Sequence, residues 1–211
     1  MIHVNMQPEP VEFDALVRHP GASFLMTCPT PTTKEFKTHS YWRALLSKTR
    51  ELYGAVCAYS CHYVPADTGV DTIEHFRPKS KYPSDAYEWS NYRFVCGRLN
   101  GRKGNHEDVL DPFHVENGWF VIEFPSLLVK PAPNLEPDLK GRVRQTCERL
   151  GLNDEGTCLK QRYKSVEDFC LGRVRFDLLE TDAPFLAAEI TRQGLRATLI
   201  KIMQFPAEST D

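Results

Sequence analysis

Hydrophobic positions along the chain change their spacing twice, and each change marks a boundary between kinds of structure. From Thr33, read as a helix N-cap, Phe36, Trp42, Leu45, Leu46, Thr49, Leu52, Tyr53 and Val56 recur at helical spacing. They predict one long amphipathic helix that ends near Gly54. The residues before it carry Pro8, Pro10, Pro20, Pro29 and Pro31 and predict an extended arm with little regular structure. Between Cys57 and Phe124 the helical period disappears. Thr72-Ile73-Glu74-His75-Phe76 and Tyr92-Arg93-Phe94-Val95-Cys96 are strand-length pieces. A loop containing Pro78 and Ser80 separates them, and a short helix is expected over Arg98 to Lys103, limited by Gly101 and Gly104. Gly118 to Phe124 reads as a further strand.

Pro125, Pro131, Pro133 and Pro137 mark a connection, after which helical spacing returns. Leu139, Val143, Cys147 and Leu150 predict a short helix stopped by Gly151, with a turn at Asn153. Leu159, Tyr163, Val166, Phe169, Cys170, Val174 and Leu178 predict a longer one. Ile190, Leu195, Leu199 and Ile202 predict a last helix between Phe185 and Met203. The outline is an α+β chain in three stretches forming one compact unit: arm and helix over 1–56, a mixed core over 57–124, and a helical region over 125–211.

Composition narrows the class. The 211 residues are 41% hydrophobic and 26% charged, which excludes a collagenous or wholly disordered chain. No run approaches the roughly 18 apolar residues of a spanning helix. Met1-Ile2-His3-Val4-Asn5 lacks the basic-then-apolar order of an export signal, so a cytoplasmic protein without membrane contact is expected. The seven cysteines then read as thiols or metal ligands rather than a disulfide framework. A net charge of −2 argues against general electrostatic binding to nucleic acid. Locally the balance differs. Phe76 to Lys103 holds seven bases (Arg77, Lys79, Lys81, Arg93, Arg98, Arg102, Lys103) against Asp85 and Glu88, a segment charge of +5. Such a segment suits a phosphate-binding surface or, equally, a solvated loop.

The residues that carry chemistry fall in the same stretch. Glu74-His75-Phe76-Arg77-Pro78-Lys79-Ser80 is followed by Trp89-Ser90-Asn91, Asn100-Gly101-Arg102-Lys103-Gly104-Asn105 and Leu110-Asp111-Pro112. In this order and spacing the chain resembles the HNH endonuclease superfamily, and within it the PtuB-like nuclease subunits of Septu and retron-associated anti-phage systems. The resemblance covers about Cys57 to Phe113, with a further likeness around Thr146 to Asn153. It implies a ββα-metal core, a two-stranded hairpin packed on a short helix around one Mg²⁺ or Mn²⁺ ion. By that pattern His75 is the general base, with an ordinary pKa near ~6.5 that suits proton abstraction. Glu74 and Asn100 are the hard oxygen ligands, and Asn91 orients the loop and the His75 ring. Adjacent strand residues point to opposite faces, so Glu74 and His75 can share a site only if the strand bends. Lys103 lies three residues after Asn100, on the same helix face, and is expected to contact phosphate, with Arg77, Lys79 and Arg102 as the positive approach.

The cysteines depart from the family. Its zinc brace uses two C-x-x-C pairs, but here Ser60 and Leu99 stand at two expected ligand positions. Cys57, Cys61 and Cys96 remain, one ligand short of a closed tetrahedral site unless His62 is recruited. Without zinc they would pack as small apolar groups. The resemblance also implies partners: DNA or an RNA such as tRNA, an ABC/SMC-like ATPase of the PtuA kind, and in some systems a retron reverse transcriptase with its DNA–RNA product. The chain has no G-x-x-x-x-G-K-[ST] loop, so any ATP control would come from outside. Two readings compete with the nuclease: a non-catalytic assembly subunit that keeps an HNH-like shape, and a zinc-stabilised binding module.

Overall fold

A computed structural model describes residues 1–203, with side chains as far as Lys201. The rest of the 125–211 stretch, with the Ile202 and Met203 side chains, lies outside the described residues.

The N-terminal stretch is more broken and more helical than its pattern predicts. A π-helical turn over Asp14–Arg18 runs into α1 (His19–Thr27), where an extended arm was expected. Pro20 sits in the first turn of α1, the one helical place where its missing N–H costs nothing. The expected single long helix is three pieces: α2 (Thr33–Thr38), a 3₁₀ segment (Tyr41–Leu45) and α3 (Leu46–Leu52). The cap is Thr32 rather than Thr33, and it forms a reciprocal capping box with Glu35. Hydroxyls end α2, because Thr38 Oγ1 and Ser40 Oγ donate to the carbonyls of Glu35 and Lys37.

In the centre, β1 (Asp71–His75) and β2 (Tyr92–Cys96) pair antiparallel, with Glu74 opposite Arg93 and His75 opposite Tyr92. β2 leads directly into α4 (Gly97–Lys103), which packs on both strands. A second antiparallel pair, β3 (Phe120–Glu123) and β4 (Leu128–Pro131), follows. The sequence points to β3, but the prolines around β4 disguise it.

α5 (Pro137–Leu150) ends at Gly151 in the left-handed conformation, as its sequence predicts. The two later helices are each split. Gly172, at φ 68°, ends α6 (Lys160–Cys170) before α7 (Phe176–Asp182). Gly194, at φ 66°, separates α8 (Pro184–Arg192) from α9 (Arg196–Met203). None of these helices is long and apolar enough to cross a membrane.

Two hydrophobic clusters meet at the central strand pair. One is aromatic and N-terminal: Phe13, Phe24, Phe36, Trp42, Tyr87 and Trp89 pack with Ile73 of β1 and Tyr92 of β2. The other joins Phe94, Val95 and Leu99 to the Cys57–Val64 segment and to helices α5 to α8. The three stretches of sequence therefore share cores across their boundaries.

Candidate functional site

β1 runs straight through His75, without the bend that would turn Glu74 and His75 toward one point. Thr72 and Glu74 face α4, whereas His75 faces the aromatic cluster. Asn100 Nδ2 donates to Thr72 Oγ1 at 3.0 Å, fixing α4 against the strand.

Glu74 is almost fully buried, at 2% exposure. Tyr59 donates a hydrogen bond to its Oε2. Its Oε1 pairs with the Lys103 ammonium at 2.7 Å. Burial pushes the Glu74 carboxyl up, and the Lys103 charge pulls it back. Lys103 is 0% exposed and spends its N–H groups on the carbonyls of Phe76 (2.6 Å) and His75 (3.2 Å). The expected phosphate contact is thus an internal counterion. Beside it Arg93 forms a bidentate pair with Asp111, at 2.8 and 2.7 Å, with its guanidinium 3.5 Å from the Phe113 ring centre. This is the role of the Leu110-Asp111-Pro112 segment, which sequence alone leaves without one.

His75 lies in an aromatic box. Trp42 meets its ring edge-on at 4.5 Å and Tyr92 at 5.2 Å. Its Nε2 is 2.9 Å from the carbonyl of Ala86, so the proton belongs on Nε2 and the lone pair on Nδ1. Burial, with the nearby Lys79 charge, drives the imidazole down to about 3, far below the near-neutral value expected from sequence. His75 is therefore neutral at physiological pH. Asn91 clamps the intervening loop: its Oδ1 accepts from the Arg77 N–H at 2.7 Å, and its Nδ2 donates to the carbonyls of Arg77 and Asp85 at 3.0 Å. It reaches His75 only through that loop, whose Ala86 carbonyl holds the ring.

A cleft of about 550 Å³ opens beside β1. Asp71, Thr72, Lys79 and Asn100 line it from the centre, and Trp42 and Arg43 from the N-terminal stretch. Lys79 is half-buried there, its ammonium 5.2 Å from the Trp42 ring centre, and burial lowers its pKa. The other expected cations are engaged elsewhere. Arg77 pairs with Asp85 and lies over Tyr82, and Arg102 reaches Asp154 and the Leu150 carbonyl at the end of α5. Trp42 and Arg43 belong to the cleft, yet nothing in the helical spacing around them singles them out. Tyr59 is hidden in the same way, inside the cysteine segment.

The residues do not assemble a ligand set for a metal as they stand. Among the described residues no three His, Cys, Asp or Glu side chains converge to hold an ion. Glu74 already faces an ammonium, and it does not line the cleft that Asn100 lines. The zinc brace is likewise not formed. The Sγ of Cys57 accepts from the Cys96 N–H at 3.4 Å, whereas Cys61, at φ 55°, turns toward the Ala58 carbonyl. Burial opposes a Cys57 thiolate, but hydrogen bonds from Cys96 and Ser60 outweigh it and lower the thiol pKa.

No family model matches the chain. Over 62 residues it is 32% identical to the Septu protein PtuB of Bacillus thuringiensis, a match covering 29% of this chain and 24% of that protein. The chain thus spans about a quarter of that relative's length, and the likeness is a Septu-like relationship confined to part of each protein.

Proposed function

We propose that the chain is an HNH-type endonuclease subunit of a Septu-like anti-phage defence system, acting with an ATPase partner of the PtuA kind. One observation carries the reading: the antiparallel pair β1–β2 runs straight into α4, with Glu74 and His75 ending the first strand, Asn91 locking the loop and Asn100 on the helix. That is the order the resemblance requires, and the likeness to a Septu protein agrees with it. His75 has the tautomer of a proton acceptor, its Nδ1 carrying no protein hydrogen bond among the described residues. Lys79 lines the cleft and offers a positive charge to a phosphodiester there, whereas His75 is 6% exposed and lies behind that lining.

The test is cleavage of plasmid DNA and of total tRNA by the purified chain, alone and with its co-encoded partner, with and without Mg²⁺ or Mn²⁺. Cutting that needs the metal and is lost in His75→Ala is the expected result. An intact partner complex that cuts nothing would sink the reading. The second reading, a non-catalytic assembly subunit, is favoured by a specific feature, the engagement of Glu74 by Lys103 and Tyr59. It predicts the same partner complex with no cleavage.

A further inference from the structure

The seven bases of the +5 segment are not equally available. Five are spent on carboxylates: Arg77 on Asp85, Lys81 on Glu107, Arg93 on Asp111, Arg102 on Asp154 and Lys103 on Glu74. Lys79 and Arg98 have no carboxylate partner among the described residues. Lys79 belongs to the cleft described above. Arg98, exposed at the start of α4, opens on a second groove of about 420 Å³ on the other side of that helix.

This groove differs from the first. Its floor is apolar, built from Val64, Leu99, Cys96 and Cys158, and its rim carries Arg98, Lys160 and Lys164. None of the lining residues is acidic, although Lys164 also reaches back to Glu167 and Asp168. His62 is on the lining too. Its Nδ1 faces the Ser60 carbonyl at 3.1 Å, which leaves the lone pair on Nε2, and that atom is buried with no hydrogen-bond partner. One backbone crossing separates the groove from the cleft. Gly69 lines the groove, Val70 lines the cleft, and the Val70 carbonyl accepts from the Gly97 N–H at 2.7 Å.

We propose that this groove holds single-stranded nucleic acid next to the phosphate bound in the cleft, with a base on the apolar floor and phosphates on Arg98 and Lys160. The inference rests on the nuclease reading and adds the form of its substrate. An apolar floor of this kind takes an unstacked base face, which a duplex keeps hidden. The cationic rim supplies the backbone contacts.

Arg98→Glu/Lys160→Glu tests it, since both side chains are exposed and no ion pair among the described residues holds either. Binding of a short labelled single strand is followed by fluorescence anisotropy in EDTA, so that cleavage does not intrude. The double variant should bind at least about tenfold more weakly. Its slope of log affinity on log salt should fall by about 1.4, the loss of two single-strand phosphate contacts. Hydrolysis of a small phosphodiester, bis(p-nitrophenyl) phosphate, should stay unchanged. Unaltered oligonucleotide affinity beside His75-dependent cutting would overturn the groove and leave the nuclease standing. Equal losses for duplex and single strand would overturn the single-strand assignment. Loss of the protein partner with nucleic-acid affinity intact would give the groove to that partner instead. A wild-type complex that neither binds nor cuts any nucleic acid would remove both readings.

Discussion

The two faces of β1 bury polar groups by opposite means. Toward α4, Glu74 is balanced by charge, with Lys103 at 2.7 Å and the Arg93–Asp111 pair alongside. Toward the N-terminal stretch, His75 is neutralised by its surroundings: aromatic rings and one carbonyl leave the imidazole uncharged. The first solution makes each member depend on its partner, because a buried charge left alone costs far more than a pair. The second makes the face sensitive to protons. One strand of five residues thus carries two kinds of vulnerability, and they can be probed separately.

The largest effect is expected on the charged face. Lys103→Met removes the counterion of a carboxylate that cannot reach water, and should cost about 3 to 5 kcal/mol in urea unfolding. Adding Glu74→Gln should recover much of that loss. A single variant as stable as the parent would show that Glu74 is protonated in the fold.

The aromatic face should respond to acid. The His75 imidazole is held at about 3 when folded, against an ordinary value of 6.5, so the unfolded chain binds the extra proton. Its contribution to stability is complete above pH 6.5 and is lost as the pH falls toward 3, at up to about 1.4 kcal/mol per pH unit. Comparing the pH dependence of unfolding in the parent and in His75→Gln isolates this share. Parallel curves would mean that the ring titrates normally.

The smallest effect should come from a residue belonging to neither face. Arg77 is 54% exposed in its pair with Asp85, and Arg77→Ala should change stability by less than about 1 kcal/mol. A larger loss would mean that the loop clamped by Asn91 depends on this ion pair as well.

How far the sequence could be read follows the same division. β1 to β3, α4 and the Gly151 stop were legible because alternation, a short apolar run and a left-handed glycine act locally, whereas the prolines around β4 hid it. The loop-clamping part of Asn91 was legible too, since an Asn side chain can bond both amide groups of a turn. What sequence hid depends on distant partners. Lys103 shares a helix face with Asn100, but only the packing of α4 on β1 shows that its ammonium ends against Glu74. The straightness of β1 was also hidden, as was the break at Thr38–Ser40 that brings Trp42 onto His75. Pro20 misled in the other direction, since a proline in the first turn of α1 reads from sequence as a sign of irregular chain.

The sharing of the C-terminal core has a consequence for the order of synthesis. β1, β2 and α4 leave the ribosome before α5 to α8, yet Phe94, Val95 and Leu99 are buried against those later helices. The Tyr63 N–H, ahead of β1, waits for the carbonyl of Asp182 at the end of α7. A nascent chain can pair its two central strands early, but the packing of Phe94, Val95 and Leu99 waits until α5 to α8 emerge. The centre that carries Glu74 and His75 is therefore completed only after α5 to α8 have been made.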